Sequence, residues 1–167
     1  NYRYFYDVLQ LNMGRGYFSY HSFEEGPTVY SDASKQRRYA GGGWVESGGR
    51  YDWFQYGTAA ARRMIDFLEG DTVCVAVERL CGGWRGKWIP FGVDNQAFQK
   101  SALKGWSRAE RLTDVLRRLF VLQISSGCLL RFFWVASADN YLADALSREG
   151  QLALFWAAVR GSGLLSF

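Results

Sequence analysis

The sequence predicts an α/β fold: a mixed five-stranded sheet, built as a three-strand antiparallel meander plus two further strands, with helices packed on it. Three observations lead there. Strand-like runs separated by turn signals occupy Thr28 to Tyr56. The apolar period switches to helical spacing after Thr58. Strands and helices then alternate as far as Arg148. The 167 residues fit one domain with a real core, and 49% are hydrophobic, which excludes a disordered chain.

The elements follow in order. Thr28 to Ser31 is a short apolar run suited to a buried strand. Ala40 to Glu46 and Tyr51 to Tyr56 are strand-like, and Ser47-Gly48-Gly49-Arg50 between them is a turn signal. From Thr58 to Cys81, Met64, Ile65, Leu68, Thr72, Val75, Ala76 and Leu80 fall near helical spacing, and Gly82-Gly83 closes the run. Gly70 and Val73 weaken this helix locally. Trp88 to Val93 returns to strand character. Asn95 to Leu103 reads as a short helix and Arg108 to Ser125 as a long one, with Leu112, Val115, Leu116, Leu119 and Leu122 in one stripe. Leu129 to Val135 is an apolar strand, and a helix runs from about Asn140 to Arg148.

Residues 1–26 are aromatic, weakly helical around Tyr6 to Leu11 and broken at Asn12-Met13-Gly14-Arg15-Gly16. They read as a lead-in from an upstream domain, and the missing initiator Met predicts a fragment of a longer protein. Residues 27–150 form the domain and 151–167 a C-terminal extension. Leu152, Leu154, Phe155, Trp156 and Val159 of that extension suit packing on the body or on a neighbour. The opening Asn1-Tyr2-Arg3-Tyr4 lacks the basic-then-apolar order of a signal peptide. No stretch reaches the ~18–20 uncharged apolar residues of a membrane helix, so no membrane partner is expected. Cys74, Cys81 and Cys128 are too few and scattered for a disulfide framework or zinc site. Buried free thiols and an intracellular setting, nucleus or cytoplasm left open, are the expectation. A net charge of +4 permits a polyanionic partner without requiring one.

The chemistry lies in four carboxylates. Asp32 follows a buried strand, where the sheet should end. Asp94-Asn95 ends the next strong strand. A helical acid is supplied by Glu69 or Glu78. Glu69 shares a face with Ile65, Thr72 and Ala76, whereas Glu78 beside Arg79 falls off that stripe and should be solvated, as should Asp66 and Asp71. Asp144 lies on the late helix at i,i+4 from Asn140, with Asp139 expected as a cap. Hard oxygen ligands of this kind suit Mg²⁺ or Mn²⁺, and two such ions can clamp a phosphodiester during in-line hydrolysis.

These residues resemble the ribonuclease H domain found downstream of reverse transcriptase in DIRS- and gypsy-type retrotransposons. The resemblance rests on Tyr30-Ser31-Asp32-Ala33-Ser34 with Gly41, Gly42 and Gly43, Ile65 to Ala76 around Glu69, and Trp84-Arg85-Gly86-Lys87 leading to Val93-Asp94-Asn95. Its most specific part is Trp134-Val135 leading to Asn140-Tyr141-Leu142-Ala143-Asp144-Ala145-Leu146-Ser147-Arg148. It implies a ribonuclease H-like sheet with helices on both faces, and an endonuclease cutting the RNA strand of RNA–DNA hybrids. Two Mg²⁺ ions, replaceable by Mn²⁺, would be held by Asp32, Glu69, Asp94 and Asp144. A reverse transcriptase domain upstream would be the partner within a polyprotein. Lys35, Arg37, Arg38, Asn95, Lys100, Lys104, Arg108 and Arg111 would contact nucleic acid, with Arg117 and Arg118 on the same basic helix. Family members carry a Pro-Gly turn and often a His before the last helix. Trp134-Val135-Ala136-Ser137-Ala138 has neither, and His21, the sole histidine, matches no family position. That departure motivates the alternative of a domesticated, catalytically silent module binding nucleic acid or protein. An integrase or resolvase of the same fold is a further alternative, opposed by the closing Ala-Asp-Ala-Leu-Ser-Arg stretch.

Overall fold

A computed structural model describes residues 23–162. The expected helix around Tyr6 to Leu11, most of the lead-in and His21 lie outside the described residues. The strands are β1 (Glu24–Glu25), β2 (Val29–Lys35), β3 (Ala40–Glu46), β4 (Tyr51–Gln55), β5 (Lys87–Val93) and β6 (Leu129–Trp134). The helices are α1 (Ile65–Leu80), α2 (Gln96–Lys104), α3 (Glu110–Ser126), α4 (Tyr141–Ser147) and α5 (Leu152–Ser162), with short 3-10 turns at Thr58–Arg62 and Cys81–Gly83.

The meander is β2–β3–β4, antiparallel throughout. β5 runs parallel to β2 and to β6. Trp88 of β5 is registered with both Glu25 and Leu129, so β1 and β6 lie on opposite edges of β5. β1 and β2 therefore occupy one side of β5 in succession, interrupted at Gly26-Pro27-Thr28. Pro27 has no N–H to give a ladder, which accounts for the break. Among the described residues the sheet has six strand segments where five were expected, arranged in five positions across it.

Glycines on β3 show how helices reach both faces. A Cβ on Gly43 would come within 2.4 Å of Leu146, and one on Gly41 within 2.2 Å of the Ser147 carbonyl, both on α4. A Cβ on Gly42 would lie 2.5 Å from Thr72 Oγ1 on α1. Alternate residues of a strand face opposite ways, so this run admits α4 on one side and α1 on the other. The main core lies on the α1 side. There Val73, Cys74 and Val77 meet Ile89, Phe91 and Val93, and the stripe Leu112, Val115, Leu116 and Leu119 closes over them.

The helix expected over Thr58 to Cys81 begins at Ile65, because residues 58–62 form a separate 3-10 turn and Arg63 is extended. Gly70 does not interrupt α1. A Cβ there would stand 2.6 Å from Val115 Cγ1 and 2.7 Å from Phe98 Cε2, so the missing side chain is what lets α2 and α3 approach. The C-terminal helix α5 packs on the body: Phe155 and Val159 are buried against Leu146 and Tyr51. The cysteines are free thiols, with Cys74 and Cys128 buried and Cys81 half-buried. Among the described residues, no helix is long and apolar enough to cross a membrane.

Candidate metal centre

Asp32 does not end its strand. It is the fourth of seven residues, because pairing with the glycines of β3 carries β2 on to Lys35. The parallel half of the sheet does end there. Its last β2–β5 partners are Tyr30 and Gly92, and two residues further along each chain stand Asp32 and Asp94. Register thus brings the two aspartates side by side. Glu69 comes from α1, and one carboxylate oxygen from each of the three lies within 4.8 Å of the others. Glu78 is elsewhere, accepting from Arg118 Nη2 at 2.8 Å. Arg118 also binds Asp71, and Asp66 accepts the Phe67 amide N–H. Glu69 is therefore the helical acid of the cluster.

Asp32 and Glu69 are only 4% and 3% exposed. Burial lifts the Asp32 carboxyl from its usual range to about 7; a Ser147 hydrogen bond opposes the shift and the charges of Asp94 and Asp144 add to it. Burial also raises Glu69 well above its ordinary value, followed by repulsion from Asp32 and Asp94. Glu69 Oε2 is buried without a hydrogen-bond partner. A cation among these oxygens would satisfy that atom and cancel the repulsion that burial magnifies. The donor set is all carboxylate oxygen, which fits Mg²⁺ or Mn²⁺ and not a soft metal.

Asp144 stands beside this group without joining it. It is near enough to raise Asp32 and Glu69, but Arg148 reaches its Oδ1 with Nε at 2.7 Å and Nη2 at 2.6 Å. Four supporting side chains carried no role in the sequence reading. Ser147 Oγ donates to Asp32 Oδ2 at 2.5 Å, and Ser137 Oγ to Asp94 Oδ2 at 2.7 Å. Trp134 Nε1 donates to the Asp94 carbonyl, and Asn140 Nδ2 to the Ser31 carbonyl, both at 3.0 Å. Ser147 and Arg148 were findable, since offsets of three and four from Asp144 place them on its side of the helix. Asp139 is not the cap of α4; that position belongs to Asn140.

The expected nucleic-acid contacts divide. Lys100, Lys104, Arg108 and Arg111 are exposed along α2, its following loop and the start of α3, and Arg37 and Arg38 are exposed in the β2–β3 turn. Lys35 is exposed as well, and donates to the Arg63 carbonyl at 2.7 Å. Asn95 accepts the Phe98 amide N–H as the N-cap of α2, the ordinary use of Asn before a helix. Arg117 and Arg118 are engaged with Asp114 and with Asp71 and Glu78. The structure adds Arg62 and Arg63, which with Arg111 line an open groove beside Phe67, over whose ring Arg63 stacks at 4.5 Å. Trp84 is buried, Trp88 lies under the Arg131 guanidinium, and Trp106 is exposed near the basic helices.

Fold and site together define a ribonuclease H-like α/β protein with an acidic, divalent-cation type of cluster at the end of its parallel strands. Among solved structures, the chain is similar to RNase H1 from the halophilic archaeon Halobacterium salinarum NRC-1. The TM-score is 0.57 and the identity 22%, over 72% of this chain and 92% of that one. It is also similar to LC11-RNase H1 in complex with an RNA/DNA hybrid, with TM-score 0.62 and 15% identity over 72% and 93% of the two chains. A further LC11-RNase H1 structure, isolated from compost by a metagenomic approach, gives TM-score 0.55 and 14% identity over 73% and 92%. No protein-family model and no curated protein matches the sequence.

Proposed function

We propose that the protein is a metal-dependent endonuclease hydrolysing the RNA strand of RNA–DNA hybrids. The observation that carries this reading is the convergence of Asp32, Glu69 and Asp94, with Glu69 Oε2 buried and unpartnered. The ordered motif around Asp144 supports a finer version. In it, residues 27–150 are the ribonuclease H domain of a retroelement polyprotein, with a reverse transcriptase domain upstream and an intracellular site of action.

Asp32, Glu69 and Asp94 would hold the ions, with Asp144 beside them. When bound, such ions polarise the scissile phosphate and lower the pKa of water. The protein's own contribution is arrangement. Ser147 and Ser137 each donate to one oxygen of an aspartate and so fix the orientation of these two carboxylates. Without a cation, burial raises the Asp32 carboxyl to about 7 and lifts Glu69 in the same direction, so these two hold protons at mildly acidic pH. The exposed arginines and lysines of α2, α3 and the β2–β3 turn would bind phosphates and position the hybrid without reading its bases.

Cleavage of hybrid, duplex RNA and duplex DNA with Mg²⁺ or Mn²⁺ tests the proposal. Cutting confined to the RNA of the hybrid is expected, and no cutting of any substrate would overturn it. A second reading, a silent hybrid-binding module, is favoured by one observation: Arg148 engages the fourth carboxylate. Binding of hybrid without cleavage under both metals would select it.

A further inference from the structure

We propose that Arg148 is a positioning residue that holds Asp144 off the cation cluster, and that a second divalent ion binds only as this ion pair opens. The inference rests on the metal-dependent reading above. Three observations on α4 and its neighbours carry it. Asp32, Glu69 and Asp94 bring oxygens within 4.8 Å of one another, while Asp144 is outside that set. Both Nε and Nη2 of Arg148 reach the same Asp144 oxygen, at 2.7 and 2.6 Å. The pair sits at i,i+4 on the end of α4, with Arg148 46% and Asp144 32% exposed, so solvent and ions reach it.

The geometry gives two cation sites of unequal readiness. The triad already has an unpartnered buried oxygen, on Glu69, and its members are set by β2, by α1 and by the residue directly after β5. Asp144 must first leave a guanidinium. An exposed pair of this kind is weak, so its opening would lower the second ion's apparent affinity by roughly two- to fivefold. The arginine also supplies positive charge next to Asp32 and Asp94, so removing it has a long-range effect on every cation. Arg148→Lys separates the two influences. It keeps the charge, but an ammonium lacks the planar fork that presents two nitrogens to one oxygen.

The test counts Mn²⁺ bound to the protein alone, by electron paramagnetic resonance and calorimetry, with no substrate present. The parent should bind one ion tightly and a second weakly. Arg148→Lys should tighten the second site by roughly two- to fivefold and leave the first unchanged. Arg148→Met should tighten both, the second more. Asp144→Asn should abolish the second site and spare the first. Equal affinities in the parent and Arg148→Lys would overturn the positioning role while leaving the nuclease reading intact. Absence of any Mn²⁺ binding by the folded parent would overturn the metal-dependent reading itself. Circular dichroism of each variant establishes that it is folded before ions are counted.

Discussion

Stripped of divalent cations, the protein should lose stability as pH rises from mildly acidic to neutral. Asp32 is the group to follow. Burial and then the charges of Asp94 and Asp144 lift it from 3.8 to about 7, against the opposing pull of Ser147 and Arg148. In the unfolded chain the same carboxyl ionises near 3.9. Between those values the folded state keeps a proton that the unfolded state has released. The stability this proton confers is complete below about pH 4 and gone once pH passes the folded value near 7. One retained proton amounts to about 1.4 kcal/mol per pH unit, so the full window is worth on the order of 4 kcal/mol. Glu69 is raised in the same sense, so the slope should exceed that of one proton. A domain of this size shifts its Tm by roughly 2–4 °C per kcal/mol. Melts in chelator should therefore fall by roughly 5–9 °C between about pH 5 and pH 7 from Asp32 alone. Millimolar Mg²⁺ should flatten or reverse the trend, because the ion takes the place of the proton. Asp32→Asn in chelator should lose about one proton's worth of slope. A metal-free Tm that is level or rising over this range, and indifferent to Asp32→Asn, would refute the assignment of a repelling, buried carboxylate cluster.

Three other outcomes are expected. Asp94→Asn removes a charge but keeps the shape, so metal-dependent cleavage of hybrid should fall by more than about 100-fold. The metal-free melting point of that variant should hold or rise slightly, since Glu69 and Asp32 lose a repelling neighbour. Neutralising Lys104, Arg108 and Arg111 together should weaken hybrid binding equally for different sequences and flatten its salt dependence by about one slope unit per lost phosphate contact, while Mn²⁺ affinity stays put. Gly70→Ala should destabilise by about 1–2 kcal/mol in urea melts, because its methyl must enter between Val115 and Phe98, and this outweighs the gain in helix propensity.

The sequence made the sheet legible because its apolar runs changed period where the structure changes element. The leucine stripe of α3 and the choice of Glu69 over Glu78 both follow from helical spacing, and both agree with the structure. Extent was harder to read. Ala40 to Glu46 was legible as a strand, but that its Gly41 to Gly43 prolong β2 by pairing with Asp32, Ala33 and Ser34 is visible only across strands. Gly70 looked like a defect for the same reason, since its purpose lies in neighbours remote in sequence. Asn95 shows local chemistry that was readable: an Asn directly before a helix accepts the Phe98 amide N–H as its cap. The pairing of Arg148 with Asp144 was implicit in their spacing, but spacing alone does not say whether a carboxylate faces a cation or an arginine.

The β2–β5 register has a consequence for insertions and deletions. Only Val29–Phe91 and Tyr30–Gly92 are paired, and Asp32 and Asp94 meet because each stands two residues past the last pair. Apolar replacements that keep the pleat leave this count untouched. A single residue added or lost between Tyr30 and Asp32, or between Gly92 and Asp94, turns one aspartate to the opposite side of the sheet, whatever residue is involved. In these two short stretches chain length is therefore under tighter restraint than side-chain identity. The connection from Gly105 to Ala109, between two helices, carries no such count and should accept additional residues with the cluster intact.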